Sequence, residues 1–201
     1  MTFYMGDTRK IFIILIAFFS LSCYAVTKVE RLNEEQTDTL DIAKARCFND
    51  ILVFDVDSSC FFRNAGNPDT LVKNGGGIFD KENRKLIKYD LLEYGDYRFA
   101  LFNGRIGLIS VIFDNPNTLI TTDKYSLNSK FTLKDAAVAF PHSYKEKTKH
   151  PVFAKEISEE FSSIDDSRWN CIYLDDAHGG LIQLYFVDKK LQVALFDFPK
   201  L

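Results

Sequence analysis

The dipeptide Asn103-Gly104 restricts the fold of this chain more than any other feature, because it predicts a tight β-hairpin. Asn-Gly supplies the two positive-φ positions of a type I′ turn. Segments of strand length, residues 97–102 and 105–113, lie on either side of it. The second segment is apolar on both faces, so we expect it at the centre of a sheet. The chain should therefore contain an antiparallel sheet built around this hairpin.

Three more strands are predicted near the C-terminus. Residues 169–174, 181–187 and 191–198 are rich in β-branched and aromatic types, and Gly179-Gly180 and residues 188–190 supply turns between them. We therefore expect a three-stranded meander. Its aromatic side chains are more typical of a core than of a binding platform.

Two helices are predicted from apolar periodicity and capping residues. Asn33 and Gln36 resemble a capping box that opens a helix over residues 34–48. The apolar face of this helix would consist of Leu40, Ala43 and Cys47. Thr132 with Asp135 has the capping-box spacing for a second helix, which Pro141 would end.

Residues 63–85 are the least regular part of the sequence. Asn67-Pro68 and the glycine run 74–77 are turn and loop signals. The glycine run lacks the spacing of a phosphate-binding loop, so we expect a flexible loop. Residues 86–89 are expected to begin another strand.

Together these elements predict an α+β fold. We expect an antiparallel sheet of about five to seven strands, with one or two helices packed on one face. Residues 26–201 would form a single domain, or two subdomains at 26–118 and 119–201.

The N-terminus is typical of a secretory signal peptide. Arg9 and Lys10 precede an apolar run, residues 11–21, and Ala25 provides a small residue for cleavage. The run is shorter than the roughly 20 apolar residues that cross a bilayer. Residues 1–25 would then be removed, and the protein would be periplasmic or secreted. The alternative is a lipid anchor at Cys23, although Leu21 lies one place too late for the usual lipoprotein pattern.

The charge balance is mildly acidic. The whole chain has a net charge of −3, and removal of two basic residues and one acidic residue with the signal peptide makes it −4. A nucleic-acid-binding surface would be basic and clustered, so this function is not expected. A membrane partner is expected only if Cys23 is lipidated.

Three cysteines remain after cleavage. Export makes a disulfide plausible, and Cys47 with Cys60 is the candidate pair because a short loop separates them. Cys171 lies in a predicted buried strand, where a thiol behaves as a small apolar group. Sequence alone does not fix the connectivity.

No catalytic, cofactor or metal motif is recognised, and we expect no cofactor. The three histidines, His142, His150 and His178, lack metal-ligand spacing. The segment that begins at Asp55 opens like a calcium loop, but Cys60 and Gly66 occupy the positions that require Gly and Glu. We therefore expect no metal site and no enzyme.

One region resembles a known module. Residues 125–141, which contain Thr132, Asp135 and Phe140-Pro141, look like a short strand, a turn and a capped helix before the three C-terminal strands. Residues 119–198 are in this respect similar to the helix-on-sheet module of β-lactamase-inhibitor-protein-like and outer-membrane-assembly lipoprotein domains. The turn of that module usually has Gly where this chain has Asn128. The resemblance implies an exported, non-catalytic, protein-binding domain and assigns no functional residue.

The sequence therefore favours an envelope protein that binds another protein, as inhibitors and toxin-immunity proteins do. A basic toxin or enzyme would suit the acidic charge. The candidate acidic contact residues are Asp165, Asp166, Asp175 and Asp176. These residues are also typical of turns.

Two alternative functions stay open. An envelope hydrolase would use His178 with Asp175 or Asp176, and a lipid- or peptidoglycan-binding accessory module would follow from lipidation at Cys23. The partner and the oligomeric state are not predicted.

Overall fold

A large mixed sheet forms the centre of the protein. The computed structural model describes residues 37–80 and 84–197; the predicted signal peptide and the capping residues Asn33 and Gln36 lie outside these ranges. The strands in chain order are β1 (Thr39–Leu40), β2 (Val56–Asp57), β3 (Thr70–Asp80), β4 (Lys85–Tyr94), β5 (Tyr97–Phe102), β6 (Arg105–Ile112), β7 (Ile120–Thr121), β8 (Ser126–Leu127), β9 (Trp169–Asp176), β10 (Leu181–Val187) and β11 (Lys190–Phe196).

Nine of the strands in the described ranges form one sheet with the order β1-β9-β10-β11-β6-β5-β4-β3, and β2 pairs with β6. Strands β7 and β8 form a separate pair. The protein is α+β as expected, but the sheet is larger than the predicted five to seven strands. It is also mixed, because β1 runs parallel to β9.

Short helices connect and cover the strands. They are α1 (Ser58–Ala65), α2 (Leu133–Ala139), α3 (Pro141–Lys145), α4 (Val152–Ile157) and α5 (Glu159–Ser162), with 3₁₀ turns at Phe48–Asp50 and Asp166–Arg168. Each α-helix has at most eight residues. Isolated helices of this length are unstable in water, so packing against the sheet must stabilise them.

The sheet is covered on both faces, which corrects the expectation of helices on one face. Side chains alternate along a strand, so Ile172 and Leu174 of β9 point to one face, while Trp169 and Cys171 point to the other. The first face forms the larger core with Phe61 of α1 and residues of α2. The second face forms a smaller core with Ala154 of α4 and Phe161 of α5.

The predicted hairpin at Asn103-Gly104 is confirmed. Both turn residues have positive φ, 48° and 75°, and Phe102 pairs with Arg105 across the turn. Strand β6 lies between β5 and β11, in the interior of the sheet. The C-terminal meander is also confirmed, with a turn at Asp188 and Lys189 where φ is again positive.

The predicted cap at Thr132 is confirmed. Its hydroxyl accepts a hydrogen bond from the Asp135 amide at 3.2 Å, and the Asp135 carboxylate accepts one from the Thr132 amide at 2.8 Å. Helix α2 ends before Pro141 as expected. However, Pro141 also occupies the first turn of α3, a position where its missing N–H group costs nothing.

The predicted helix over residues 34–48 is wrong in its described part. Thr39 and Leu40 form β1, a turn follows at residues 43 and 44, and the buried residues are Leu40, Ile42, Ala45 and Cys47. This arrangement is a short strand and a turn packed against the sheet rather than one face of a helix. Pairing with β9 and burial of these side chains therefore override the helical periodicity.

The interpretation of residues 63–85 as irregular is wrong for residues 70–80, whereas Asn67-Pro68 lies in a loop between α1 and β3 as predicted. Residues 70–80 form β3, the longest strand, and the glycine run lies inside it. Three residues of β3, 73–75, stand opposite Asp90 in an extended bulge. Asn74 has a φ of 52°, and its amide donates to the Asp90 carboxylate at 2.8 Å. Asparagine tolerates this left-handed conformation, which explains why the strand continues through a turn-like sequence.

Across the part of the chain that the structure describes, no helix is long and apolar enough to span a membrane.

Candidate functional site

The four aspartates of the predicted acidic surface lie in two separate places. Asp165 and Asp166 precede β9, whereas Asp175 and Asp176 end it. Strand β9 has eight residues. At roughly 3.3 Å per residue its two ends are about 25 Å apart. The structure therefore does not bring the four carboxylates together.

Asp165 and Asp166 shape the start of β9. The Asp165 carboxylate accepts a hydrogen bond from the Ser167 amide at 2.8 Å, and the Ser167 hydroxyl lowers the pKa of Asp165. Asp166 forms an ion pair with Lys155 of α4. Asp165 therefore caps the 3₁₀ turn, and Asp166 links that turn to the helix that covers the second face.

Asp176 is a buried structural residue, with 5% of its surface exposed. Its carboxylate accepts hydrogen bonds from the amides of Ile42, at 3.4 Å, and His178, at 3.2 Å. It thus joins the turn between β9 and β10 to the segment after β1. Asp175 pairs with Thr39 in the same region.

His178 meets a carboxylate that the sequence did not suggest. Its Nε2 lies 3.4 Å from Asp41 Oδ1, and its ring stacks on Phe54 with the centroids 5.5 Å apart. The side chains are 45% and 38% exposed for His178 and Asp41. Of the predicted partners, Asp176 accepts a hydrogen bond from the backbone amide of His178. Asp41 is 137 residues away along the chain, so no local pattern could indicate this pair.

Asp197 is a second unusual carboxyl group at the same end of the sheet. It follows β11 and is partly buried, and its amide donates to the Leu181 carbonyl at 2.9 Å. Burial raises the pKa of Asp197 to about 6. Sequence analysis missed this residue because a lone aspartate after a strand gives no local signal.

All three described cysteines are free thiols, and the predicted Cys47–Cys60 bond is not formed in the structure. Cys47 lies in the first core, whereas Cys60 is exposed on α1, so their side chains have different environments. Burial raises the pKa of Cys47 and of Cys171 to about 12. Neither buried thiol is therefore ionised near neutral pH, as a nucleophilic cysteine would need to be.

The segment that resembled a calcium loop starts α1 instead. The Asp57 carboxylate accepts hydrogen bonds from the amides of Ser59, at 3.0 Å, and Cys60, at 3.1 Å. Asp55 pairs with Arg105 at 2.8 Å. Within residues 37–80 and 84–197, no group of three His, Cys, Asp or Glu side chains is placed to hold a metal ion.

The β3–β4 hairpin extends beyond the rest of the sheet. The β4–β5 ladder ends at the pair Asp90 and Leu101, whereas β3 and β4 stay paired as far as Asp80 and Lys85. We call residues 77–80 and 85–88 the arm. In it two strands pair only with each other among the described elements, so the arm leaves large parts of its surface uncovered.

One side of this hairpin, which we call the arm face, carries Leu71, Leu86 and Lys88. Leu71 pairs with Leu92, and Leu86 and Lys88 alternate with it along β4, which places all three on the first face of the sheet. Leu71 is 49% exposed and Leu86 is 39% exposed, whereas Leu92 is fully buried in the first core. The arm face is therefore the uncovered continuation of the main core.

Comparison with protein-family models, with curated proteins and with solved structures gives no match to this chain.

Proposed function

We propose that this chain is an exported, non-catalytic protein that binds another protein, as an inhibitor or toxin-immunity protein does. The observation that carries the proposal is the arm face. Within the described residues four large apolar side chains are exposed, and two of them, Leu71 and Leu86, lie on this face, about 20 Å apart along the hairpin. An uncovered sheet face that carries exposed apolar side chains is a surface that a binding partner can cover.

The N-terminal sequence supports the location of this activity. A cleaved signal peptide over residues 1–25 would place the protein in the periplasm or outside the cell. The similarity of residues 119–198 to β-lactamase-inhibitor-protein-like modules agrees with a binding role. Lipidation at Cys23 would instead anchor the same binding protein at a membrane.

The test uses protein recovered from the cell envelope after expression of the full chain. It is used as bait in envelope extract without reductant, and bound proteins are identified by mass spectrometry. A captured protein is then purified and mixed with the bait, and light scattering measures the mass of the complex. A complex of fixed stoichiometry supports the proposal, whereas failure to form any complex contradicts it.

An envelope hydrolase is the second candidate, and the contact between His178 and Asp41 favours it. A carboxylate beside a histidine can orient the ring for general-base catalysis. Both side chains are partly exposed, so a substrate could reach them. The ring of His178 also stacks on Phe54, a contact that a purely structural histidine makes too. Ester, amide and glycoside substrates would be screened with the wild type and His178→Ala. Hydrolysis lost in the variant would support an enzyme; equal rates would reject this pair as its centre.

A further inference from the structure

We propose that the arm face docks on an acidic surface of a protein partner. This inference rests on the proposed protein-binding function and names the surface that performs it. It also reverses the expectation from sequence, in which an acidic surface of this chain would bind a basic partner.

The first reason is that Leu71 and Leu86 stay exposed among the residues that the structure describes. A two-stranded ribbon is marginally stable alone because each side of it faces solvent. Ile78 and Ile87 face each other across the arm, and Leu86 lies across Gly77, with Cδ1 3.0 Å from the position of an added Cβ. Glycine leaves room for Leu86 to pack on the backbone, but position 77 offers no side chain that shields it. A partner that covers Leu71 and Leu86 would extend the core that contains Leu92.

The second reason is the charge of the arm. The described residues 77–80 and 84–88 contain three basic residues and one acidic residue, a net charge of +2, in a chain whose net charge is −3. Arg84 and Lys88 are exposed, as is Lys73 beside the arm. They form no ion pair with any carboxylate whose side chain the structure describes.

The carboxylates near the arm whose side chains the structure describes are engaged in other contacts. Asp90, two residues from Lys88, accepts the amide hydrogen bond of Asn74 at 2.8 Å. Glu93 points to the opposite face and pairs with Arg98 at 3.0 Å. Arg84 and Lys88 thus have no described carboxylate partner in the chain, and an acidic surface of another molecule would give complementary charge across the interface.

Other occupants fit these observations less well. A second copy docked about a two-fold axis through the arm would place Lys88 near the same residue of its partner, which is unfavourable. Addition of a strand to the β3 edge is hindered by the bulge at 73–75 and by Lys73, features that protect sheet edges. An anionic membrane would repel the remainder of this acidic chain.

Site-specific photocrosslinking tests the surface. The full chain is expressed with p-benzoylphenylalanine at Leu86 or, as a control, at Val138 of α2, which is 81% exposed. Protein recovered from the envelope is irradiated in envelope extract. We expect one protein to crosslink from position 86 and not from 138, through a peptide rich in Asp and Glu.

Charge reversal provides the matched variants. Arg84→Glu with Lys88→Glu should lower the crosslinking yield by about tenfold, since charged interface pairs contribute strongly to affinity and association rate. Lys130→Glu with Lys134→Glu makes the same charge change at exposed residues elsewhere and should leave the yield unchanged. Circular dichroism of each variant verifies folding.

The outcomes separate this inference from the proposed function. A partner that crosslinks from 138 instead, or whose binding survives the arm reversal, overturns the arm face but leaves a binding protein. If wild-type protein captures no partner and nothing crosslinks from either position, both proposals are wrong. Another outcome is that the chain floats with phosphatidylglycerol vesicles in a way that depends on Arg84 and Lys88, with no protein crosslink. That result would assign the arm to a membrane and overturn the acidic protein partner. A crosslink from position 86 to a second copy of this chain would also overturn the acidic protein partner.

Discussion

The block of β6, β11, β10 and β9 differs from the β3–β4 arm in what covers it. In the block, side chains on both faces are buried, as Leu184 and Tyr185 on successive positions of β10 show. In the arm, by contrast, Leu86 stays exposed. The comparison teaches that parts of one sheet differ in exposure according to whether a helix or segment of the chain lies over them, and the uncovered part is where we propose that a partner binds.

A matched pair of leucines gives the largest expected contrast. Leu184→Ala removes a fully buried side chain and should lower the free energy of unfolding by about 2 to 5 kcal/mol, because a cavity remains. Leu86→Ala should lower it by less than about 1 kcal/mol, because Leu86 is exposed. Urea denaturation followed by circular dichroism measures both. Equal losses would show that the arm is as well packed as the block.

The pH dependence of stability tests a charge at the end of the block. Burial raises the pKa of Asp197 to about 6, above the value of about 3.9 expected in the unfolded chain. The folded protein therefore binds a proton more readily than the unfolded chain between about pH 4 and pH 6. Stability should rise as the pH falls through this window and decrease as the pH rises, by at most about 2 to 3 kcal/mol.

Asp197→Asn isolates this effect. The variant should be more stable than the wild type at pH 7 and should lack the gain in stability between about pH 6 and pH 4. Asp123→Asn, at an exposed position, should retain the gain. Urea midpoints measured across this pH range decide the matter, and identical profiles for the wild type and Asp197→Asn would contradict the assignment.

A glycine substitution probes how the arm joins the sheet. A Cβ added at Gly76 would overlap the ring of Tyr89, which packs on the glycine backbone and whose burial raises its pKa to about 12. Gly76→Ala should therefore cost about 1 to 2 kcal/mol through overpacking. Amide hydrogen exchange should accelerate at residues 85–88 more than in β10.

Removing the ring tests the cause of that loss. Tyr89→Ala combined with Gly76→Ala should lose less stability than the two single variants lose in sum, because the overlap is gone. Additive losses would mean that Gly76 is needed for another reason, such as its backbone conformation.

The smallest effect is expected at the cap of α2. Thr132→Ala removes the acceptor of the Asp135 amide and should cost about 1 kcal/mol in the free energy of unfolding. Thr132→Ser keeps the hydroxyl group and should remain close to the wild type. If alanine and serine are equivalent in urea denaturation, α2 is stabilised by Leu133 and Ala136 against the sheet rather than by its cap.

Local signals in the sequence predicted the elements whose geometry is set locally. Asn103-Gly104 defines its turn by two backbone conformations, and Thr132 with Asp135 forms hydrogen bonds within four residues, so both were identified correctly. The segment after Thr39 was predicted as a helix because its apolar spacing is ambiguous until β9 lies beside it. The glycine run in β3 was predicted as a loop because the bulge opposite Asp90 and the ring of Tyr89 are contributed by another strand.

The candidate sites depend on distant contacts even more strongly. His178 was identified as the relevant histidine, but its carboxylate neighbour Asp41 comes from the other end of the chain. The predicted acidic surface combined residues that β9 holds apart. The arm face arises from the place where β5 ends relative to β4, and no local pattern in the sequence specifies that difference in length.

Trp169, the single tryptophan of the chain, is fully buried in the second core between Phe161 and Tyr185. Its fluorescence emission should therefore be blue-shifted in the native protein and should move to longer wavelength when α4 and α5 leave the sheet. The arm lies outside this core, so docking or local opening of the arm should leave the emission unchanged. The protein thus contains an optical probe that distinguishes global unfolding from events at the arm, without any added label.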